Sequence, residues 1–168
     1  ANGATTILNP APVRPLPPSV LQMVDVLTPN QTEAKALTGR PPDLAVAPEL
    51  MARELICAGV KQIVMTLGEK GALIVTPTSS QHVPALAMQA VDTTGAGDAF
   101  NAGLATALAS GESLESAVKF AVVTGGLAVT REGVIPSLPR REDVVRFYQQ
   151  RVGKPPTWLV GAEPAKRL

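Results

Sequence analysis

Short apolar runs alternate with longer helical patterns along this chain, and that alternation constrains its fold more than any other feature. Residues 5–9, 26–27, 60–67 and 72–76 are aliphatic or β-branched runs, closed by turn formers such as Pro10, Pro29, Gly68 and Pro77. Between them, residues 19–24, 31–37 and 49–58 carry helical spacing. Ser19 stands where a cap would sit, Pro48 suits a first helical turn and Gly59 a left-handed stop. Gly68 to Gly71 reads as a turn that pairs 60–67 with 72–76 as a hairpin. The order β-α-β-α-α-β-β is followed by helical patterns at 99–110, 114–130 and 141–152. Strands interleaved with helices predict a three-layer α/β domain, a mostly parallel central sheet flanked by helices. Residues 1–152 form that domain in this reading, and 153–168 is expected as a loose tail.

Composition narrows the functions open to such a domain. With 15 Lys and Arg against 14 Asp and Glu, the net charge of +1 supplies no field for nucleic acid or an anionic membrane. Aromatic residues are 3% of the chain, too few for base-stacking platforms, and no apolar run reaches the roughly 18 residues of a bilayer span. A single cysteine, Cys57, forms no internal disulfide and reads as a small apolar filler, and no signal peptide is visible, so a reducing cytoplasm is expected. His82 is the sole histidine and is expected to be structural or solvated, which leaves no His/Cys metal cluster. Trp158 and Arg167 have no companion motif. The chain opens without Met on a segment that looks like a helix end running into a strand, as if in mid-fold.

Chemistry concentrates in Asp92-Thr93-Thr94-Gly95-Ala96-Gly97-Asp98-Ala99-Phe100, at the start of a helical pattern. Glycines there let the amides of Gly95, Ala96 and Gly97 turn toward a bound group, and the positive end of a helix favours an anion at that spot. Asp98 beside such a cradle is electrostatically costly unless it takes a proton from an attacking hydroxyl. The same residues also fit a capped helix after a tight turn. The segment lacks both the G-x-x-x-x-G-K-[ST] loop and a full G-x-G-x-x-G fingerprint, because Phe100 stands at the third glycine position.

This segment resembles the D-T-x-G-A-G-D-x-F signature of the ribokinase-like (PfkB) carbohydrate kinases. Thr28-Pro29-Asn30-Gln31-Thr32-Glu33-Ala34 is similar to the family's N-x-x-E element, and Val129-Thr130-Arg131-Glu132-Gly133 through Pro136-Ser137 to its cation-site segment. With Ile7-Leu8-Asn9-Pro10-Ala11-Pro12, these matches follow the family's order along nearly the whole chain, yet cover only about the C-terminal half of a family member. The resemblance implies an ATP-dependent sugar kinase acting on ribose, with Asp98 as general base and sugar contact and the Gly95, Ala96 and Gly97 amides as anion hole. It implies ATP contacts at Asn30, Thr66, Leu67, Gly68, Glu69, Lys70, Gly71, Gly97, Asp98 and Val122, with Gly126 near the adenine. Val122 departs from a position that is often polar in the family. Asn30 and Glu33 would organise Mg²⁺ around the triphosphate; alone, the pair also fits a helix cap with a solvated Glu. A K⁺ site would draw on Asp92, Thr94, Ala128, Arg131, Gly133 and Ser137, mostly through backbone carbonyls; a helix end closed by a turn at Gly133 fits the same residues.

The family's early sugar-binding elements and its β-lid are not in this sequence, so the complete protein is expected to be the active, dimeric form. The chain as given is expected to bind nucleotide without turning over sugar. Fructose, a keto-deoxy sugar acid or a nucleoside remain alternative substrates, and a non-catalytic nucleotide-binding module an alternative role. Partners are thus expected to be sugar and ATP, not nucleic acid or membrane.

Overall fold

The computed structural model describes residues 3–161. Five strands form one sheet in the order β1 (Ile7–Leu8), β2 (Val26–Leu27), β3 (Gln62–Thr66), β4 (Ala72–Val75) and β5 (Ser80–Val83). β1 to β3 pair in parallel through α1 (Pro18–Leu21), α2 (Gln31–Leu37) and α3 (Pro48–Cys57), whereas β3 to β5 pair antiparallel through short turns. The α/β architecture is the expected one, but the sheet is evenly mixed rather than mostly parallel. The reason is β5, a strand that apolar patterning does not reveal: Ser80, Gln81 and His82 are exposed and only Val83 is buried. Its place is held by register with β4, after a turn closed by Thr76 N–H donating to Ser79 O at 2.9 Å.

The strand period of two sorts the sheet's side chains onto two faces. Leu27, Ile63, Met65, Leu73 and Val75 pack with Leu21, Ala34, Met51 and Leu55 of α1 to α3. Val26, Val64, Ala72, Ile74 and Val83 pack with Phe100, Leu104, Val118 and Ala121 on the other face. Those last residues belong to α4 (Ala96–Ala109) and α5 (Leu114–Ala128), whose close approach rests on small residues. A Cβ at Gly103 would lie 2.2 Å from Thr124 Oγ1, and one at Gly125 3.2 Å from Ala96 O. The Thr124 hydroxyl, buried in that seam, has Ala99 O and Ala121 O each at 3.0 Å as acceptors.

The remaining described helices are α6 (Val134–Ser137), α7 (Arg141–Phe147), continued by a π-helical turn at Tyr148–Val152, and α8 (Thr157–Gly161). α8 corrects the expected loose tail over 153–161. Trp158 lies edge-on to Phe120 with ring centroids 4.9 Å apart and donates Nε1–H to Glu112 Oε1 at 2.8 Å, while Leu159 is buried. Aromatic area and a satisfied indole hold this segment down, a contact invisible to local patterning. Residues 162–168, including Arg167, lie outside the described ones. Two smaller expectations also change: α1 begins at Pro18 with no side-chain cap from Ser19, and Cys57 is exposed rather than packed. No described helix is long and apolar enough to cross a membrane.

Candidate functional site

The glycine-rich turn is built by a carboxylate and a left-handed residue. Asp92 Oδ1 accepts from Thr94 N–H at 2.9 Å and from Thr94 Oγ1–H at 2.7 Å, folding the chain back just ahead of α4. Gly95 is the N-cap at φ 80°, a conformation that favours glycine. Ala96 N–H is turned onto Thr93 O at 3.3 Å, so of the three expected cradle amides this one is already engaged. The next donors, on Gly97 and Asp98, belong to the first helical turn, where no intrahelical acceptor is available. A Cβ at Gly97 would meet nothing within 4 Å, so the space beside this first turn is open. Asp98 projects from the same turn and is exposed.

Asn30 and Glu33 form a capping box on α2. Asn30 Oδ1 accepts from Glu33 N–H at 2.9 Å, and Glu33 Oε2 accepts from Asn30 N–H at 2.8 Å. The helix start is joined to the end of β3 by Thr66 N–H donating to Pro29 O at 2.9 Å and by an isolated parallel bridge between Asn30 and Thr66. From there the chain runs through Leu67 into a single 3₁₀ turn, Gly68–Lys70, and on to Gly71 and β4. The exposed His82 lies beside this turn, its Nε2 2.7 Å from Lys70 O.

These separate segments line one cleft of about 1020 Å³. Its walls include Asn30, Thr66 to Gly71, Ala96 and Gly97, and Val122, Gly125 and Gly126. Asp98, Gly95 and Glu33 are not among its lining residues. The fourth wall, Ala85 to Met88 with Ala90, carries no charge and no motif, and sequence reasoning missed it. Its signal lies in the structure: a Cβ on Gly126 would be 2.9 Å from the Met88 sulfur, so that glycine makes room for Met88. The cleft is mostly apolar and opens onto helix-start amides, a shape that suits a flat base at one end and an anionic group at the other.

Behind the turn, Asp92 Oδ2 accepts from Gly133 N–H at 3.0 Å, and Val91 and Asp92 donate to Val129 O at 2.7 and 3.2 Å. The structure therefore joins Asp92, Thr94 and Gly133 directly. Ser137 is fully buried but donates within α6 to Val134 O at 2.7 Å. The Arg131 guanidinium pairs with Asp143 at 3.0 Å, and Ala128 O accepts Arg131 N–H at 3.3 Å. Among the described residues no three His, Cys, Asp or Glu side chains cluster as a metal site, so a cation here would rest chiefly on Asp92 and main-chain oxygens.

Hydrogen bonds from the Thr94 hydroxyl and amide, then from Gly133, hold the Asp92 carboxyl below the ordinary carboxylate range. A lowered carboxyl pKa contributes stability that is complete above the unfolded value, near pH 4, and is lost as pH falls through the folded one. Exchange protection of the Gly133 amide, corrected for intrinsic rate, is thus expected to be flat above about pH 4 and to decline below it. Protection unchanged down to pH 2 would remove Asp92 from this role.

The family model described as pfkB family carbohydrate kinase matches residues 1–141. A ribokinase of Haemophilus influenzae is 36% identical over 152 residues, 88% of this chain and 48% of the relative. A crystal structure of Thermotoga maritima ribokinase superposes with TM-score 0.80 at 36% identity, over 88% of this chain and 50% of that one. Arabidopsis thaliana ribokinase complexed with ribose and ATP gives TM-score 0.77 at 35% identity, over 86% and 47%. A Vibrio cholerae fructokinase double mutant with fructose, ADP and potassium ion bound gives 0.68 at 32% identity, over 77% and 42%. The chain spans about half the length of these relatives.

Proposed function

The chain belongs to the pfkB family of carbohydrate kinases, and from that premise we propose that it is the nucleotide- and phosphate-handling half of an ATP-dependent sugar kinase whose acceptor is ribose. One observation carries the reading: three segments spread along the chain, at Asn30, Thr66 to Gly71 and Gly97, converge on one cleft that ends at the start of α4. The base of ATP lies along Val122, Gly126 and Met88, and its phosphates run toward Gly97. The Gly97 and Asp98 amides hold the charge gathering on the γ-phosphoryl group, in the low-reorganisation way that fixed dipoles do. Asp98, one residue from the cleft wall, takes the proton of the ribose 5-hydroxyl as its oxygen bonds to the γ-phosphorus. The β–γ bridging P–O bond breaks, giving ribose 5-phosphate and ADP.

Magnesium, when bound, neutralises the triphosphate; Asn30 in the cleft wall and Glu33 one turn on would organise it, Glu33 through the carboxylate oxygen that the capping box leaves unused. Potassium bound near Asp92, Thr94 and Gly133 would stabilise the turn that shapes the anion hole. A cytoplasmic location and a homodimer of the complete protein belong to the same reading.

Ribose-dependent ADP release by the protein in its full natural length, stimulated by K⁺, is the expected result of a coupled assay over a panel of sugars. Turnover confined to fructose, a sugar acid or a nucleoside would replace the substrate, and ATP binding without transfer to any sugar would leave a binding module only. The anion hole is tested separately by Gly97→Ala. Its methyl group enters open space, so stability should change by less than about 1 kcal/mol, as for alanine replacing glycine in a helix. Affinity for ATP should fall about tenfold, or about 1.4 kcal/mol. Unchanged ATP affinity would place the phosphates elsewhere.

A further inference from the structure

Asn101 sits one turn into α4 from Gly97, where asparagine is a poor helix former unless its side chain has a task. Its amide is fully specified. Gly97 O can only accept, so Nδ2 must face it, at 2.8 Å, which leaves Oδ1 to accept from the Thr28 hydroxyl at 2.6 Å. Thr28 is 2% exposed and lies at the end of β2, where its N–H donates to Leu8 O at 2.9 Å. It also directly precedes Pro29 and Asn30. A continuous line of hydrogen bonds therefore runs from the sheet, through Thr28 and Asn101, to the Gly97 carbonyl.

That carbonyl shares a peptide plane with the Asp98 N–H, and in a trans peptide the two point in opposite directions. Holding Gly97 O thus fixes the direction of the Asp98 N–H at the start of α4, beside the Gly97 wall of the cleft, and donation to the carbonyl polarises the same unit. We infer that Asn101, anchored by Thr28, is a positioning residue that fixes the Gly97–Asp98 peptide for the transferring phosphoryl group and couples it to the Asn30 segment. This rests on the kinase reading above, and it concerns charge that grows in the transition state more than ground-state binding.

The test uses this chain with Mg²⁺ and two probes, ADP and ADP with aluminium fluoride, titrated by calorimetry, alongside amide exchange without nucleotide. For Asn101→Leu and for Thr28→Val, ADP affinity is expected to stay within about twofold, while affinity for the aluminium fluoride complex drops about tenfold or more. The Asp98 amide should exchange faster in both. Asn101→Ser should recover most of the loss, because hydroxyls in this helix and at its C-cap already donate one turn back: Thr106 to Ala102 O at 2.7 Å and Ser110 to Thr106 O at 2.8 Å. Equal loss for both probes, no loss for either, or unaltered Asp98 exchange overturns the inference. Should Asn101→Leu not fold, Thr28→Val and Asn101→Ser carry the same comparison. A wild-type chain that binds no ADP overturns the kinase reading instead, and Asp98 exchange in the variants still decides the positioning link.

Discussion

Replacing Asp98 by asparagine is expected to lower kcat for sugar phosphorylation by about two to four orders of magnitude, the range that loss of a general base produces. ATP affinity should change by no more than about threefold, because uniform binding of substrate does not depend on the proton acceptor. The side chain is exposed on the first turn of α4, so the fold has little reason to respond; surface changes of this kind move stability by about 0.5 kcal/mol or less. Asparagine keeps the shape and accepts a hydrogen bond, but it cannot hold the proton that must leave the sugar hydroxyl. Steady-state ADP release by the protein in its full natural length, with ATP binding measured in parallel, separates the two effects. Near-normal turnover would end the assignment of Asp98 as base.

Gly71→Ala is expected to be the most damaging single methyl in the cleft wall, through the fold and not through ATP. Gly71 sits at φ 95°, and a Cβ there would lie 2.1 Å from Val83 O and 2.6 Å from Ala85 N. Both neighbours are main-chain atoms of β5 and of the segment after it, so neither can swing aside as a side chain would. Backbone strain and overpacking each cost on the order of 1–3 kcal/mol, and together they should remove about 3 kcal/mol or more. A denaturant midpoint shift equivalent to less than about 1 kcal/mol would show that the β4–β5 pairing yields easily. The glycine that resemblance assigns to nucleotide contact is thus demanded first by the hairpin itself.

Much of the domain was legible along the chain because its elements follow local rules. β3 and β4 are apolar runs around a Gly68 to Gly71 turn, α3 starts at Pro48, and α5 starts at a Ser113 cap that accepts from Ser116 N–H. β5 was not legible, since three of its four residues face solvent and its pairing is decided by β4. Likewise α8 holds through Trp158 against Phe120 and Glu112, partners 38 and 46 residues away that no window of sequence connects. In the site, the motif residues stood out, whereas Asn101, the Ala85 to Met88 wall and the contact that Thr28 makes to Asn101 did not, because their roles lie in contacts rather than in a pattern.

By itself the sequence determined the α/β class, the turn at 92–97 and the residue types that can hold an anion and accept a proton, and its motifs carried the resemblance to the family. The first three follow from side-chain period, glycine conformations and helix-end dipoles, all of which act within a few residues. Only the tertiary structure decided that Asn30, Thr66 to Gly71, Gly97 and Gly126 share one cleft, and that Asp92 reaches across to Gly133 while Asn101 reaches back to Gly97. The physical reason is distance along the chain. Convergence of remote segments depends on how the two faces of the sheet are packed, and small residues such as Gly103 and Gly125 settle that by letting α4 and α5 meet closely enough to aim the start of α4 at the cleft.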